Sequence, residues 1–480
     1  MTRAAGTVAL DPLATLPGWL AAAADADQVA AALARRAPEL AGGGLVACKV
    51  ERLRLRPDGW AARYRLTVDA AGGQRSVRLA GTLRPPGPRG PRGPGGGGPG
   101  GGGPGRDGAP AGPGRAHLPE LGLDLHTEPE DPGLPALGML TDPERARAYL
   151  EGQLRAAGGR LAGQRLLACQ PEVLRYKPGN RCTIRYDLSY APDDATPGRP
   201  GVVVVKTYAT DAGAGTWAGM RALWASPLGR GDQVRVAEPL AHDPERHVLV
   251  QGVIPGDRTL KQLVRSALRD GSPAAEEGLG VALDRTAAGL AALHGCGVRH
   301  GRPVSWDDEL GKLRAALTGL ALAGPGVAAA AEALIDALAA TAAARPPDPS
   351  GPAHRAFRPA QVLLDGTVGF IDFDGFCQAE PAMDAGVFVA ALANIGMYTP
   401  LGARQPDLAA RGDQVGRAAA RFLAGYRGRA RVGPDRVALW EALELATYLL
   451  NGWIKVQPSR LPNLIVALGQ RLEALGVRVA

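Results

Sequence analysis

The sequence predicts a two-lobed α+β fold, with strands gathered in the first half of the chain and helices filling the second. Three observations carry this expectation. A strand-rich segment occurs twice, at 45–59 and again at 166–180. A buried-type strand, Val202–Val205, ends abruptly in Lys206. Beyond residue 258 the apolar residues recur at helical rather than strand spacing.

Taken in order, the repeat aligns LVACKVERLRLRPDG with LLACQPEVLRYKPGN, pairing Ala47-Cys48 with Ala168-Cys169 and Pro57 with Pro178. After a one-residue slip, Arg63-Tyr64 matches Arg185-Tyr186. Each copy follows a helical stretch and folds around a turn containing proline. Pro178-Gly179 suits the central positions of a type II turn, because glycine accepts the positive φ needed there. The first copy's counterpart of Val205-Lys206-Thr207 is expected at Ala80-Gly81-Thr82, so its lysine is missing. A single repeat of this length is a duplicated lobe, not a solenoid.

Residues 85–115 are almost wholly Gly, Pro and Arg and cannot build a core, so a disordered linker is expected there. Asp142-Pro143-Glu144 opens a helix to about residue 157, with aspartate as cap and proline in its first turn. Further helices are expected at 258–269, 279–294, 307–321, 383–396, 414–427 and 435–453. The chain thus divides into a degenerate N-lobe-like repeat (1–84), the linker (85–115), a strand-rich lobe with its preceding helix (116–250) and a helical lobe (251–480).

Composition narrows the function. The net charge of +8 comes mostly from scattered arginines, since lysine occurs only at 49, 177, 206, 261, 312 and 455. No basic stripe interleaved with aromatics is present, which argues against nucleic-acid binding. The five cysteines (48, 169, 182, 296, 377) are odd in number and widely spaced, which fits a reducing cytoplasm and neither a disulfide framework nor a zinc site. Asp11 interrupts the first apolar stretch, so no signal peptide is expected. Glu332 and Asp336 interrupt the Ala-rich stretch 327–344, so no membrane span is expected either.

Chemistry concentrates in two places. A lysine closing a buried strand needs an anionic partner, since an unpaired buried ammonium is costly; the alternative is a strand-end lysine reaching solvent. The segment AHRAFRPAQVLLDGTVGFIDFD (353–374) places a histidine loop, an apolar run, a glycine turn and a strand ending in Asp372 in succession.

In that order these motifs resemble the aminoglycoside phosphotransferase/choline kinase-like superfamily of protein-kinase-like folds, over about residues 160–453. RYKPGNRCTIRY (175–186) is similar to the nucleotide-covering hairpin of a bacterial subgroup, implying that Lys177, Gly179 and Asn180 contact nucleotide. Gln251 to Gly256 resembles the hinge, and Leu293-His294-Gly295 the end of the first long helix of the helical lobe. The stretch 354–361 aligns with His-Gly-Asp-x-x-x-x-Asn. The resemblance implies that Lys206 holds the phosphates of ATP, that Asp372 and Gln361 bind Mg²⁺, and that His354 orients the loop, with Asp384 as its brace. Gln361 stands where many members carry Asn, as it does in maltokinase-like members. Asp374 shares a strand face with Asp372 and is a candidate for a second metal; a solvated turn acid is the alternative.

Two departures stand out. Ala356 occupies the position of the catalytic aspartate, and no Glu lies between Lys206 and Glu238 to pair with the lysine; Asp211 is the nearest acid. The implied function is ATP-dependent phosphorylation of a small hydroxylated molecule with weakened catalysis. The alternative is an inactive pseudokinase serving as nucleotide sensor or scaffold, with the N-terminal repeat packing on the kinase-like part or meeting a protein partner. Three weaker signals were weighed: Gly213-x-Gly215-x-x-Ala218 as a dinucleotide loop, His242 and His247 as metal ligands, and the acids of 306–309 as a cation site.

Overall fold

The computed structural model describes residues 7–38, 44–57, 59–70, 73–85, 115–127, 131, 133–163, 165–191, 198–230, 233–401 and 408–480. The expected linker lies, apart from its two end residues, outside them.

Two five-stranded antiparallel sheets dominate the first half. The first contains β1 (Leu45–Arg56), β2 (Gly59–Ala70), β3 (Gly73–Leu83), β4 (Arg115–Leu118) and β5 (Leu123–Thr127), in the order β1-β2-β3-β5-β4. The second contains β6 (Leu166–Lys177), β7 (Arg181–Tyr190) and β8 (Val202–Tyr208). After the short β9 (Val234–Val236), which pairs elsewhere, β10 (Pro239–Asp243) and β11 (Val248–Gly252) complete it, in the order β10-β11-β8-β7-β6. Strand for strand, the two topologies are the same.

Each sheet is preceded by a short helix and a longer one. These are α1 (Gly18–Ala23) and α2 (Ala26–Arg36) in the first copy, and α3 (Leu137–Thr141) and α4 (Pro143–Ala156) in the second. Both longer helices begin at an aspartate whose carboxylate accepts first-turn N–H groups: Asp25 from Asp27 and Gln28, Asp142 from Arg145. Both sheets also fasten to their short helix in one way. The buried Tyr64 hydroxyl donates to the Ala23 carbonyl at 2.8 Å, and the buried Tyr186 hydroxyl donates to that of Leu140.

The register explains the one-residue slip. Arg56 pairs with Gly59 but Lys177 pairs with Arg181, so the second hairpin turn is one residue longer. Both first strands are bulged at the same place, after Leu45 and after Leu166, leaving Val46 and Leu167 as the extra, exposed residues. The strand pairing also corrects the expected counterpart of Lys206. Tyr64 pairs with Leu79 and Tyr186 with Val203, so Lys206 corresponds to Thr82 rather than Gly81. Sequence alignment slipped here because β3 and β8 share almost no residues.

The expected boundary at 115/116 is likewise corrected. Residues 115–127 return to the first sheet, where β5 pairs with β3. The Gly/Pro tract therefore stands within the first unit. In chain order it falls between β3 and β4, as helix α5 (Ala212–Ala225) and β9 fall between β8 and β10 in the second unit.

The helical lobe comprises α6 (Leu260–Asp270), α7 (Pro273–His294), α8 (Trp306–Arg314), α9 (Leu317–Leu320), α10 (Pro325–Ala343), α11 (Ala382–Met397), α12 (Leu408–Arg427), α13 (Pro434–Ile454) and α14 (Leu461–Ala474). The helix expected over 307–321 is broken between α8 and α9. Inserted among the helices are β12 (Arg258–Thr259), β13 (Gly351–Ala353), β14 (Val362–Asp365), β15 (Thr367–Phe370) and β16 (Cys377–Ala379). The β14–β15 hairpin pairs with β12 on one side and, in parallel, with β9 on the other. Among the described residues α10 is the one helix long and apolar enough to cross a membrane by length and composition. Its Ala331, Leu334, Ile335 and Leu338 are buried within the lobe, and Asp336 meets Arg314 at 3.2 Å.

The first unit shares its core with the helical lobe. Trp60 of β2 donates to the Trp453 carbonyl at 3.2 Å, and Trp453 donates to that of Leu13 at 3.0 Å. The second sheet and its helices close over a smaller core of their own, from Leu134 to Val250. This is the expected two-lobed α+β fold, with a duplicated sheet packed on the helical lobe.

Candidate active site

Period-2 burial sets the face of each strand that looks into the cleft. In β7, Cys182, Ile184 and Tyr186 enter the core, so Arg181, Thr183 and Arg185 take the other face. Lys206 of β8 pairs across from Thr183 and is itself 6% exposed. Across the cleft, the β14–β15 hairpin delivers the chain to Asp372. Its φ of 71° is left-handed, an uncommon state for a non-glycine residue that occurs where function holds the backbone.

These elements converge on four charges. Lys206 Nζ lies 3.0 Å from Asp372 and 2.6 Å from Asp374. Arg181 spans the same two carboxylates, with 3.1 Å from Nη2 to Asp372. The Tyr208 hydroxyl donates to Asp374 at 3.2 Å. Burial alone raises the pKa of Asp372, but the charges of Lys206 and Arg181 outweigh it and hold the carboxyl well below the usual range. Asp374 is therefore ion-paired and largely shielded, not a solvated turn acid.

The loop before Asp372 is braced from both sides. The His354 backbone N–H donates to Asp384 at 2.6 Å, while its ring Nε2 meets the Ile371 carbonyl at 3.0 Å. His354 thus links the brace to the residue preceding Asp372, but through its main chain on the Asp384 side. His294 of the Leu-His-Gly motif also reaches Asp384, at 3.1 Å. A Cβ on Gly375 would stand 3.2 Å from the His354 carbonyl, so the turn after Asp372 lies directly on the loop.

Gln361 accepts the Ile371 N–H on its backbone carbonyl at 3.0 Å, which seats it beside Asp372. Its side-chain Oε1 is buried with no hydrogen-bond partner. An unpartnered buried amide oxygen on the residue paired with the one before Asp372 has the chemistry of an Mg²⁺ ligand, as have the carboxylates of Asp372 and Asp374. Among the described residues no group of three or more His, Cys, Asp or Glu side chains gathers as a metal site.

The hairpin residues behave differently from one another. The Asn180 N–H returns to the Lys177 carbonyl at 3.0 Å and Gly179 has φ of 60°, which makes the expected Pro178-Gly179 turn. The Gly179 N–H, however, donates to Asp131 at 2.7 Å and so already has a partner within the chain. Arg52 of the first unit donates to the Pro178 carbonyl. Lys177 points inward, and burial and then the charges of Arg181 and Arg175 push its pKa down to about 8. Gln251 is buried on β11 and pairs with Val204, at the strand end leading to the helical lobe.

Ala356 is partly exposed and supplies no acid. Helix α5 packs on the 373–376 turn but carries no carboxylate. Asp211, at its N-terminal end, is 3.7 Å from His242 and not from Lys206. Asp372 and Asp374 take the lysine instead. Gly213 and Gly215 lie inside α5, so they form no dinucleotide loop. The 306–309 acids cap and pair: Ser305 and Asp308 form a capping box, and Glu309 binds Arg355 of the loop at 2.9 Å. Arg181, Tyr208 and Asp131 have no place among the residues the sequence points to, and Glu309 stands there only as part of a candidate cation site. Arg181 alone had a signal there, its strand alternation with the buried Cys182.

Residues 218–440 match the family described as the phosphotransferase enzyme family. Among solved structures, the chain is similar to a glucosamine kinase bound to glucosamine, ADP and inorganic phosphate (16% identity over 89% of this chain and 94% of that one, TM-score 0.45). It is also similar to a choline/ethanolamine kinase family protein from Mesorhizobium loti (16%, 69% and 94%, 0.40) and to an ADP-bound aminoglycoside phosphotransferase (14%, 65% and 95%, 0.41). No curated protein matches.

Proposed function

We propose, from the match of residues 218–440 to the phosphotransferase enzyme family, that this chain binds ATP with Mg²⁺ and transfers the terminal phosphoryl group to a small hydroxylated molecule. The observation that carries this reading is the meeting of Lys206 with both Asp372 and Asp374, at 3.0 and 2.6 Å. Lys206 would hold the nucleotide phosphates, and Arg181 stands ready to do the same. Asp372, Asp374 and Gln361 would hold the metal, which supplies neutralising charge to the phosphate oxygens.

The chain's own residues do the positioning. His354 fixes the peptide before Asp372, Asp384 fixes His354, and the Arg355–Glu309 pair ties the loop to α8. No side chain at 356 takes the acceptor's proton, so it leaves to water. Phosphoryl transfer depends chiefly on alignment and charge, and general-base help is worth about 10²–10⁴-fold. The reaction is therefore slow but not abolished.

Ala356 and the carboxylate-free α5 favour a second reading, a pseudokinase that holds nucleotide as a sensor. Calorimetric titration with ATP and Mg²⁺, on the protein and on Lys206→Ala, tests what both share: metal-dependent binding that the variant loses. Turnover assays on Ala356→Asp then separate them.

A further inference from the structure

A cavity of about 580 Å³ opens outside the site described above, between α7, the β14–β15 turn and the chain following α12. Its existence follows from the sequence. Arg285, Ala288 and Ala292 fall on one face of α7, and alanine is too short to fill the space against the hairpin. On the other side, Val368 pairs in parallel with Val234, which sets Gln233 beside Thr367. Arg429, just past the end of α12, completes the polar lining. The volume lies within the roughly 300–1,000 Å³ of small-molecule sites.

The charge of this lining is one-sided: it holds two arginines and no acid. Along the seam between α7 and α12, arginines meet acids. Arg417 meets Glu276 at 2.8 Å, and Arg421 meets Glu277 and Asp284, each at 2.8 Å. One turn beyond Asp284, α7 carries Ala288 instead of a further acid, and the pairing stops. Arg285 and Arg429 donate only to main-chain carbonyls, of Gly366 at 2.6 Å and of Gly425 at 2.7 Å. Among the described residues neither forms an ion pair. Asp365, beside Gly366, is already taken by Arg235 at 3.2 Å. The Thr367 hydroxyl oxygen is buried with no hydrogen-bond partner. Most donors of both guanidiniums thus remain for an oxyanion, the partner their planar fork matches. We propose that this cavity is a second ligand site, which takes a phosphate monoester: Arg285 and Arg429 hold the dianion, and the alanines take its organic part. Two unmatched positive charges favour a dianion over a monocarboxylate. Thr367 begins β15 and Asp372 lies just past its end, roughly 16 Å of extended chain away, so the occupant takes no part in the transfer step.

The test titrates the protein calorimetrically with phenyl phosphate, with inorganic phosphate and with phenol. The expected result is that phenyl phosphate binds, inorganic phosphate binds more weakly and phenol does not bind. Affinity for phenyl phosphate should fall at least about tenfold in Arg285→Gln and in Arg429→Gln, and stay unchanged in Lys206→Ala. Phenyl phosphate that fails to bind, that binds both arginine variants as tightly, or that Lys206→Ala releases overturns the proposal, the last by moving the ligand to the nucleotide site. Binding of phenol as tight as that of phenyl phosphate overturns it too. A second measurement needs no variant: phenylglyoxal modification of the intact protein, read at Arg285 and Arg429 by mass spectrometry with and without phenyl phosphate. Protection of both arginines supports the site, and unchanged labelling overturns it.

Discussion

Lys206 Nζ sits closer to Asp374 Oδ1, at 2.6 Å, than to Asp372 Oδ1, at 3.0 Å. The second carboxylate thus stands in for the acid that α5 lacks, while sharing its oxygens with the place a metal would occupy. Asp374→Asn is expected to raise the Mg²⁺ concentration needed for ATP binding roughly tenfold or more. Calorimetry at stepped Mg²⁺ reads this directly, and an unchanged Mg²⁺ dependence would remove Asp374 from the metal site.

Ala356→Asp restores a proton acceptor in a loop whose brace, metal carboxylate and lysine are all present. Turnover is expected to rise by about 10²–10⁴-fold with nucleotide affinity unchanged. The readout is ADP release in the presence of candidate acceptors. A flat response would favour the sensor reading.

The lysines give a pH signature. Unfolded, Lys177 and Lys455 titrate near 10.5; folded, near 8. Between those values the unfolded chain binds more protons, so stability rises with pH from about 8 to 10.5, and the cost of the charged forms is fully felt below 8. Urea denaturation across that range should show the rise, and Lys177→Met with Lys455→Met should flatten it.

The two buried tyrosines offer a test of the duplicated architecture. Tyr64→Phe and Tyr186→Phe each remove a hydroxyl bound to a helix carbonyl, with an expected loss of about 1 kcal/mol apiece or somewhat more. Denaturation monitored by tryptophan fluorescence should report Tyr64→Phe more strongly, since Trp19, Trp60 and Trp453 lie in the core it shares.

Much of this was legible in the sequence because local chemistry and tertiary structure agree. The valine run ending in Lys206, the Pro178-Gly179 turn and the Asp142 cap each state their own geometry. Four features were not legible, for a common reason. The Thr82 counterpart of Lys206, the return of 115–127 to the first sheet, the Asp131 contact to Gly179 and the Arg355–Glu309 tie all depend on pairing between distant segments. Register is fixed by which faces are buried, and no short window carries that information.

With Lys206 and Arg181 already set against Asp372 and Asp374, the candidate site supplies its own counter-ions. Loading it with magnesium nucleotide trades internal partners for external ones and leaves the local charge nearly balanced.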